Sequence, residues 1–351
     1  MKGCILLADG TRLEGEVTGP VRTAMGWVAA NTGVVGFQEM VTDPAYKSRI
    51  LAFTYPEIGN VGVTGAFSES PGVQIGGLVV KVLSGCSSHY RSEGAFADML
   101  ADAGVPCLAD VDTRGLAVHL REEGEMPAAI VPEGADLQEV LATLSGLERP
   151  AFEPTDPSAP GPAASDLRLA VLDLGIRRSQ LAQLSACSAP VLHPHDADAD
   201  SVVAGEPAGV FVSDGPAGGL PPEHIVQTIR ALLGKVPVMG CGLGHVALGM
   251  ALGCDVTFLK RGHHGANYPV RNLMDGRVEV TQQRHTVVLE RESVQGSPEV
   301  ELLWENINDG TVEGIRRPDG SAVGLQAILA APQVGLVNAQ IRQFIDALAE
   351  A

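Results

Sequence analysis

From Leu167 to the C-terminus, short runs of unbroken apolar residues alternate with stretches of helical period. The apolar runs are LRLAVLDLG (167–175), PVLHP (190–194), AGVFVS (208–213) and VPVMG (236–240). Before the last of them, Ile225, Val226, Ile229, Leu232 and Leu233 fall on one helical stripe, and Gly234 stands where that helix would be capped. His245 to Leu252 reads as the next helix, closed by Gly253; Val337, Ile341, Phe344, Ile345 and Leu348 mark a final one. A strand that is apolar on both faces has to be covered on both faces. Such strands, separated by helices, predict a parallel sheet between two helical layers, the doubly wound α/β class. Ligands of these sheets bind beyond the carboxyl ends of the strands. Gly240-Cys241-Gly242-Leu243-Gly244 lies at one such end.

The alternation begins only after a break. ERPAFEPTDPSAPGPAAS carries Pro150, Pro154, Pro157, Pro160 and Pro162. Proline removes a backbone donor and holds the chain extended, so 149–165 reads as a linker. It divides an N-terminal domain, 1–148, from a C-terminal domain, 166–351. The first is richer in glycine and β-branched residues. It predicts a mixed, strand-rich α/β domain with helices near Glu93–Ala103 and Leu116–Glu122. No internal repeat is visible.

Composition narrows the function classes. The 351 residues suffice for two domains with cores, and apolar residues make up 45%. Aromatics are only 4%, so aliphatic residues and alanine must fill the interior. The net charge of −18 repels polyanions, and no basic run offsets it, so no nucleic-acid partner is expected. No apolar run approaches the roughly 20 residues of a membrane span. MKGCILLADG reads as a strand and a turn, not a signal peptide, which makes the cytoplasm the default location. The six cysteines (Cys4, Cys86, Cys107, Cys187, Cys241, Cys254) form no C-x-x-C pair, so neither a zinc site nor a disulfide framework is suggested. His263-His264 alone does not make a metal site, because adjacent histidines diverge. No metal is expected.

Several segments in order resemble one family, the small (glutamine amidotransferase) chain of carbamoyl phosphate synthase. In the first half they are LADGTRLEGEVTG, NTGVVGFQEMVTDPAYKSRILAFTYPEIGNVGV (31–63) and LADVDTRGLAVHLREEG (108–124). In the second they are LDLGIRRSQ, VSDGP, GLGH, RGHHGANYPV and NDGTVEGI. The likeness spans nearly the whole chain. It implies an N-terminal domain peculiar to this family and a C-terminal class I glutamine amidotransferase domain of flavodoxin-like, doubly wound fold. It also implies a large synthetase subunit as partner. That subunit, not this chain, would bind ATP and bicarbonate, so no cofactor is expected here. In the family a cysteine attacks the glutamine side-chain amide, a histidine–glutamate pair serves the cysteine, and ammonia passes to the large subunit.

The catalytic positions depart from the family. A nucleophile elbow reads G-x-Nuc-x-G, with the central side chain held over the sheet end. Here the frame Gly240 to Gly244, with His245 fixing the register, puts Gly242 at the nucleophile position. Cys241 stands one place early. Successive side chains near a strand end point in opposite directions, so its thiol should face the protein body as a small buried residue. The family's Q-G-H-P-E segment resembles GLQAILAAP (324–332), which places Ile328 at the base position and Ala330 at the acid position. Neither can exchange a proton, and a thiol without a base lacks activation.

The glutamine-binding positions implied by the resemblance are altered too. Ala45 stands at a serine position and Val246 at a glutamine position. Gln283, Arg284, His285 and Thr286 stand at Q-N-H-G. The loop Ser213-Asp214-Gly215-Pro216-Ala217-Gly218 keeps Gly215 but adds a carboxylate at Asp214. If it pointed inward, that carboxylate would oppose a developing oxyanion. Ala45, Gly215, Leu243, Val246, Gln283, His285 and Thr286 are therefore expected to outline a vestigial pocket. Residues that set backbone geometry are kept while those that carry the chemistry are not.

The expected function is a small chain that supports carbamoyl phosphate synthesis, for pyrimidine or arginine formation, without hydrolysing glutamine. Two alternatives remain: a non-catalytic scaffold or regulator outside that synthesis, and a redirected enzyme using Cys241 or His285.

Overall fold

The computed structural model describes residues 1–331, 333 and 335–350, so Pro332 of the GLQAILAAP segment lies outside the described residues. The chain forms two compact units. The first is Met1–Ala151 with Lys260–Gly265; the second is Phe152–Leu259 with Ala266–Ala351.

In the first unit seven strands close a barrel. Their order is Lys2–Leu7, Arg12–Thr18, Cys107–Ala109, Gly77–Val79, Ile50–Phe53, Ala24–Asn31 and Pro127–Pro132, which returns to Lys2–Leu7. LADGTRLEGEVTG joins the first two strands in a hairpin, turned at Gly10 with φ of 88°. Period-two alternation sorts each strand between two environments. Ile5 and Leu7 point into the barrel with Val17, Val28, Ile50 and Ile130. Cys4 and Leu6 point outward, beneath Val140 and Leu144 of helix Leu137–Ser145. A second outer layer, built on Phe37, Tyr46, Phe96 and Leu100, covers Leu51, Phe53 and Leu78.

The two helices expected in this half are Phe96–Asp102 and Thr113–Glu123. The first is shorter than the sequence suggested, because the Glu93 carboxylate is used outside it, accepting from the Gly65 N–H. Asp112 is the N-cap of the second and accepts from the Gly115 N–H.

The second unit is doubly wound, as expected. Its five parallel strands run in the order Ala189–Pro194, Arg168–Asp173, Gly209–Val212, Val238–Cys241 and Ala322–Leu325. Helices Glu223–Leu232 and Leu243–Ala251 cover one face, over Ala170, Val210 and Val238. Arg178–Ser185 and Ala339–Glu350 cover the other, over Leu169, Phe211 and Met239. The sequence did not disclose the antiparallel extension of this sheet, formed by Val312–Arg316, Glu301–Asn306, Val256–Asn272 and Val278–Leu289. Among the described residues, no helix is long and apolar enough to cross a membrane.

Candidate functional site

The turn between strand Val238–Cys241 and helix Leu243–Ala251 is very tight. A β-carbon on Gly240 would stand 2.4 Å from the Gly244 carbonyl oxygen, so only glycine lets the helix start this close to the strand. Gly242 lies between them at φ 55° and ψ −116°, a conformation that side chains rarely adopt. Its N–H donates to the Leu325 carbonyl at 2.9 Å, and its own carbonyl accepts from the His245 and Val246 N–H groups. The turn therefore has the strained strand-to-helix geometry of an elbow, with no side chain at its centre.

Cys241 takes the opposite face. It is fully buried in the layer that holds Ile176, Leu181, Leu329 and Ile341. Gln180 Nε2 donates to its sulfur at 3.3 Å, and the thiol lies 3.6 Å from the Ala327 carbonyl oxygen. Burial, reinforced by the charge of Asp214, pushes the thiol up to about 12. A thiolate is thus scarce at neutral pH, and the side chain points into the protein body as strand alternation required.

The space a side chain at 242 would need is already filled. A β-carbon there would stand 2.1 Å from Asp214 Oδ1 and 2.2 Å from its Cγ. Asp214 does point inward, and it does more than oppose an oxyanion. Its Oδ1 accepts from the Leu243 N–H at 2.9 Å and from the Gly215 N–H at 2.9 Å. The loop is fixed from behind: Ser213 Oγ accepts from the Leu174 N–H and donates to the Asp214 carbonyl. A β-carbon on Gly215 would meet the Leu174 carbonyl oxygen at 2.4 Å, so this position too requires glycine. Burial raises the Asp214 carboxyl above its ordinary value, while the charge of Arg177 pulls the other way. Arg177 is 3% exposed, and its Nε and Nη2 donate to no described residue.

The segment assigned to base and acid offers no proton donor or acceptor side chain. Ile328 is buried and donates its N–H to the Gln282 carbonyl at 2.9 Å. Ala330 is exposed, and its carbonyl accepts from Asn338 Nδ2. Both line a cavity of about 290 Å³ with Trp304, Leu325 and Glu313. The carboxylate of Glu313 is held there by Gln283 Nε2 at 2.7 Å and Asn306 Nδ2 at 2.9 Å.

The residues expected to outline a vestigial pocket belong to several elements of the two units. Gly215 and Leu243 meet at Asp214, as described. Val246 packs with Val287, Leu289 and Ile315. Gln283, His285 and Thr286 are buried in strand Val278–Leu289. Ala45 belongs to the first unit, in the short turn Pro44–Tyr46, where its N–H is capped by Asp43. His264 has a structural partner in the first unit: its Nε2 lies 2.7 Å from Glu125 Oε1. Arg177 and Gln180 lie just past the carboxyl end of strand Arg168–Asp173, where ligands of parallel sheets bind, and that place within LDLGIRRSQ is the signal for them.

His245, in the first turn of the helix, is fully buried, and burial lowers its pKa to about 3. Unfolding restores a value near 6.5, so the unfolded chain takes up this proton first as pH falls. Stability should therefore decline from about pH 6.5 toward pH 3, with a limiting slope of about 1.4 kcal/mol per pH unit for each such histidine. Unfolding midpoints between pH 7.5 and 5 test this. The slope should be shallower in His245→Gln, and an equal slope in both proteins would contradict the assignment.

The doubly wound sheet and its elbow define a class I glutamine amidotransferase domain, and the family model described as "Glutamine amidotransferase class-I" matches residues 170–327. The model "Carbamoyl-phosphate synthase small chain, CPSase domain" matches residues 5–130. The chain is 38% identical to the carbamoyl phosphate synthase small chain of Methanopyrus kandleri, over 93% of both chains. It is 39% identical to that of Symbiobacterium thermophilum, over 88% of both. Against that of Listeria monocytogenes it is 34% identical, over 93% of this chain and 90% of the relative. The chain belongs to the carbamoyl phosphate synthase small-chain family.

Proposed function

We propose that this chain pairs with a large synthetase subunit as a carbamoyl phosphate synthase small chain but does not hydrolyse glutamine itself. The observation that carries the second part is Gly242. It occupies the centre of the elbow, and the direction its side chain would take is filled by the Asp214 carboxylate. Ile328 and Ala330 stand where base and acid would be, and Cys241 is buried on the opposite face with its thiol protonated. In this reading residues 1–148 form the docking domain, 149–165 the linker and 166–351 the amidotransferase-like domain. Ala45, Gly215, Leu243, Val246, Gln283, His285 and Thr286 stand at positions that once served glutamine. The pair works in the cytoplasm, the large subunit brings ATP and bicarbonate, and ammonia is the nitrogen source for a product used in pyrimidine or arginine synthesis.

The test is reconstitution with the large subunit from the same source. Co-purification is expected, with carbamoyl phosphate formed from ammonia and none from glutamine. Glutamine hydrolysis should stay at the level of buffer, and Cys241→Ala should leave every rate unchanged. Glutaminase activity that disappears in Cys241→Ala would overturn the reading, as would failure of the two chains to associate.

A further inference from the structure

Two histidines far apart in sequence meet at the outer end of the parallel sheet in the second unit. His195 follows strand Ala189–Pro194, and His224 lies in the first turn of helix Glu223–Leu232. Their ring centroids are 5.8 Å apart. The elements that carry them are tied together. The Ala197 N–H donates to the Pro194 carbonyl, closing the turn that holds His195, and Thr228 Oγ1 of the helix donates to the Ala197 carbonyl at 3.1 Å. Phe152 meets the His195 ring edge to face, with centroids 5.2 Å apart, and so limits its rotation. The Nδ1 atom of His195 is buried and hydrogen-bonds to no described residue. A buried polar atom of this kind calls for a partner, and a bound ion is one of the few things that supply it. Asp173 ends the neighbouring strand, opposite Pro194. Burial raises its carboxyl, while the Ile176 and Gly175 N–H groups and the charge of His195 pull it down, so the carboxylate lies within electrostatic reach of that ring.

We propose that His195 and His224 together bind a divalent transition-metal ion of the zinc class, which clips the end of the strand to the start of the helix. With a metal–nitrogen bond of about 2.1 Å and a ring centroid roughly 1.1 Å behind the nitrogen, two imidazoles on one ion have centroids about 5–6 Å apart. The observed spacing falls in that range. Imidazole donors suit zinc, nickel and copper, whereas magnesium and calcium take oxygen donors. Water completes the coordination, and Asp173 supplies negative charge close by, as carboxylates do beside metal-bound histidines. The helix N-terminus opposes a cation, and Glu223 in the same turn offsets it. The site lies outside the elbow and does not depend on the reading of Gly242.

The probe is zinc chloride, titrated into the 15N-labelled full chain with magnesium chloride as the control, and the imidazole nitrogen resonances are followed. Two imidazoles should shift together and saturate with one shared midpoint. One of these signals should be missing in His195→Gln and the other in His224→Gln. The ring that remains in each variant should need about tenfold more zinc or above. His224 is exposed, so His224→Gln leaves the fold intact and carries the test even where His195→Gln disturbs packing. Zinc should also slow amide exchange at Ala197 in the wild type and in neither variant. Separate midpoints for the two rings would overturn the proposal, as would unchanged zinc affinity in His224→Gln or an equal response to magnesium. Rings that saturate together while exchange at Ala197 stays the same would overturn the clip between strand and helix.

Discussion

Gly242→Ala is expected to destabilise the second unit by about 3 kcal/mol or more, and to cost clearly less when it is made in an Asp214→Gly background. Two separate costs meet at this position. A β-carbon at φ 55° and ψ −116° is strained by about 1–3 kcal/mol wherever it occurs. The same β-carbon 2.1 Å from a carboxylate oxygen forces one of them to move, and overpacking of this kind costs about 1–3 kcal/mol. Removing the Asp214 side chain relieves the second cost and leaves the first. The two substitutions should therefore couple by about 1–3 kcal/mol in a double-mutant cycle of unfolding free energies. Simple additivity would mean that the carboxylate does not occupy this space. The cycle also bears on any attempt to restore a thiol here: Gly242→Cys alone meets the same obstruction.

The second large effect is expected in the first unit. Glu125 is buried and accepts from Arg49 Nη2, from His264 Nε2 at 2.7 Å and from the Gly262 N–H at 3.0 Å. Burial alone would raise its carboxyl, but the charges of Arg49 and His264 outweigh this and hold it well below the usual range. Glu125→Ala leaves a buried guanidinium without its carboxylate and a buried N–H without its acceptor. Breaking a buried pair in this way costs about 3–5 kcal/mol. Glu125→Gln keeps the shape but not the charge and should lose less. The sign with pH follows from the lowered value. The contribution is complete above about pH 4.5, where the unfolded carboxyl is also ionised, and is lost as pH falls through the folded value. Wild type and Glu125→Gln should thus differ most near neutrality and converge in strong acid. Thermal unfolding, with hydrogen exchange at Gly262, measures both. Unchanged exchange at Gly262 would show that Glu125 does not hold this segment.

What could be read in advance followed from local pattern. Continuous apolar runs predicted four of the five parallel strands, because a strand covered on both faces cannot tolerate polar residues; the fifth, Ala322–Leu325, is a short run that was not among them. Alternation at the end of Val238–Cys241 predicted which way the thiol points, and the glycine frame predicted where the elbow's centre lies. Non-local pairing was not legible. Strand Lys2–Leu7 pairs both with its neighbour in sequence and with Pro127–Pro132, and nothing in its own residues names the second partner. Glu125 carries no local signal for the same reason: its partners Arg49 and His264 lie 76 and 139 residues away. The sequence places Asp214 in the loop after strand Gly209–Val212 but does not encode locally which way its carboxylate points.

The return of Lys260–Gly265 to the first unit bears on how this protein can be taken apart. The proline-rich stretch looks like a hinge at which the gene could be cut into two modules. A fragment ending there would lack six residues of its own unit and would carry Arg49 and Glu125 without His264. The complementary fragment would carry those six residues with nothing of their own unit to pack on. A protease nick between Ala151 and Phe152 therefore yields two pieces that each hold part of one fold, a split-protein arrangement in which neither piece is a free-standing module.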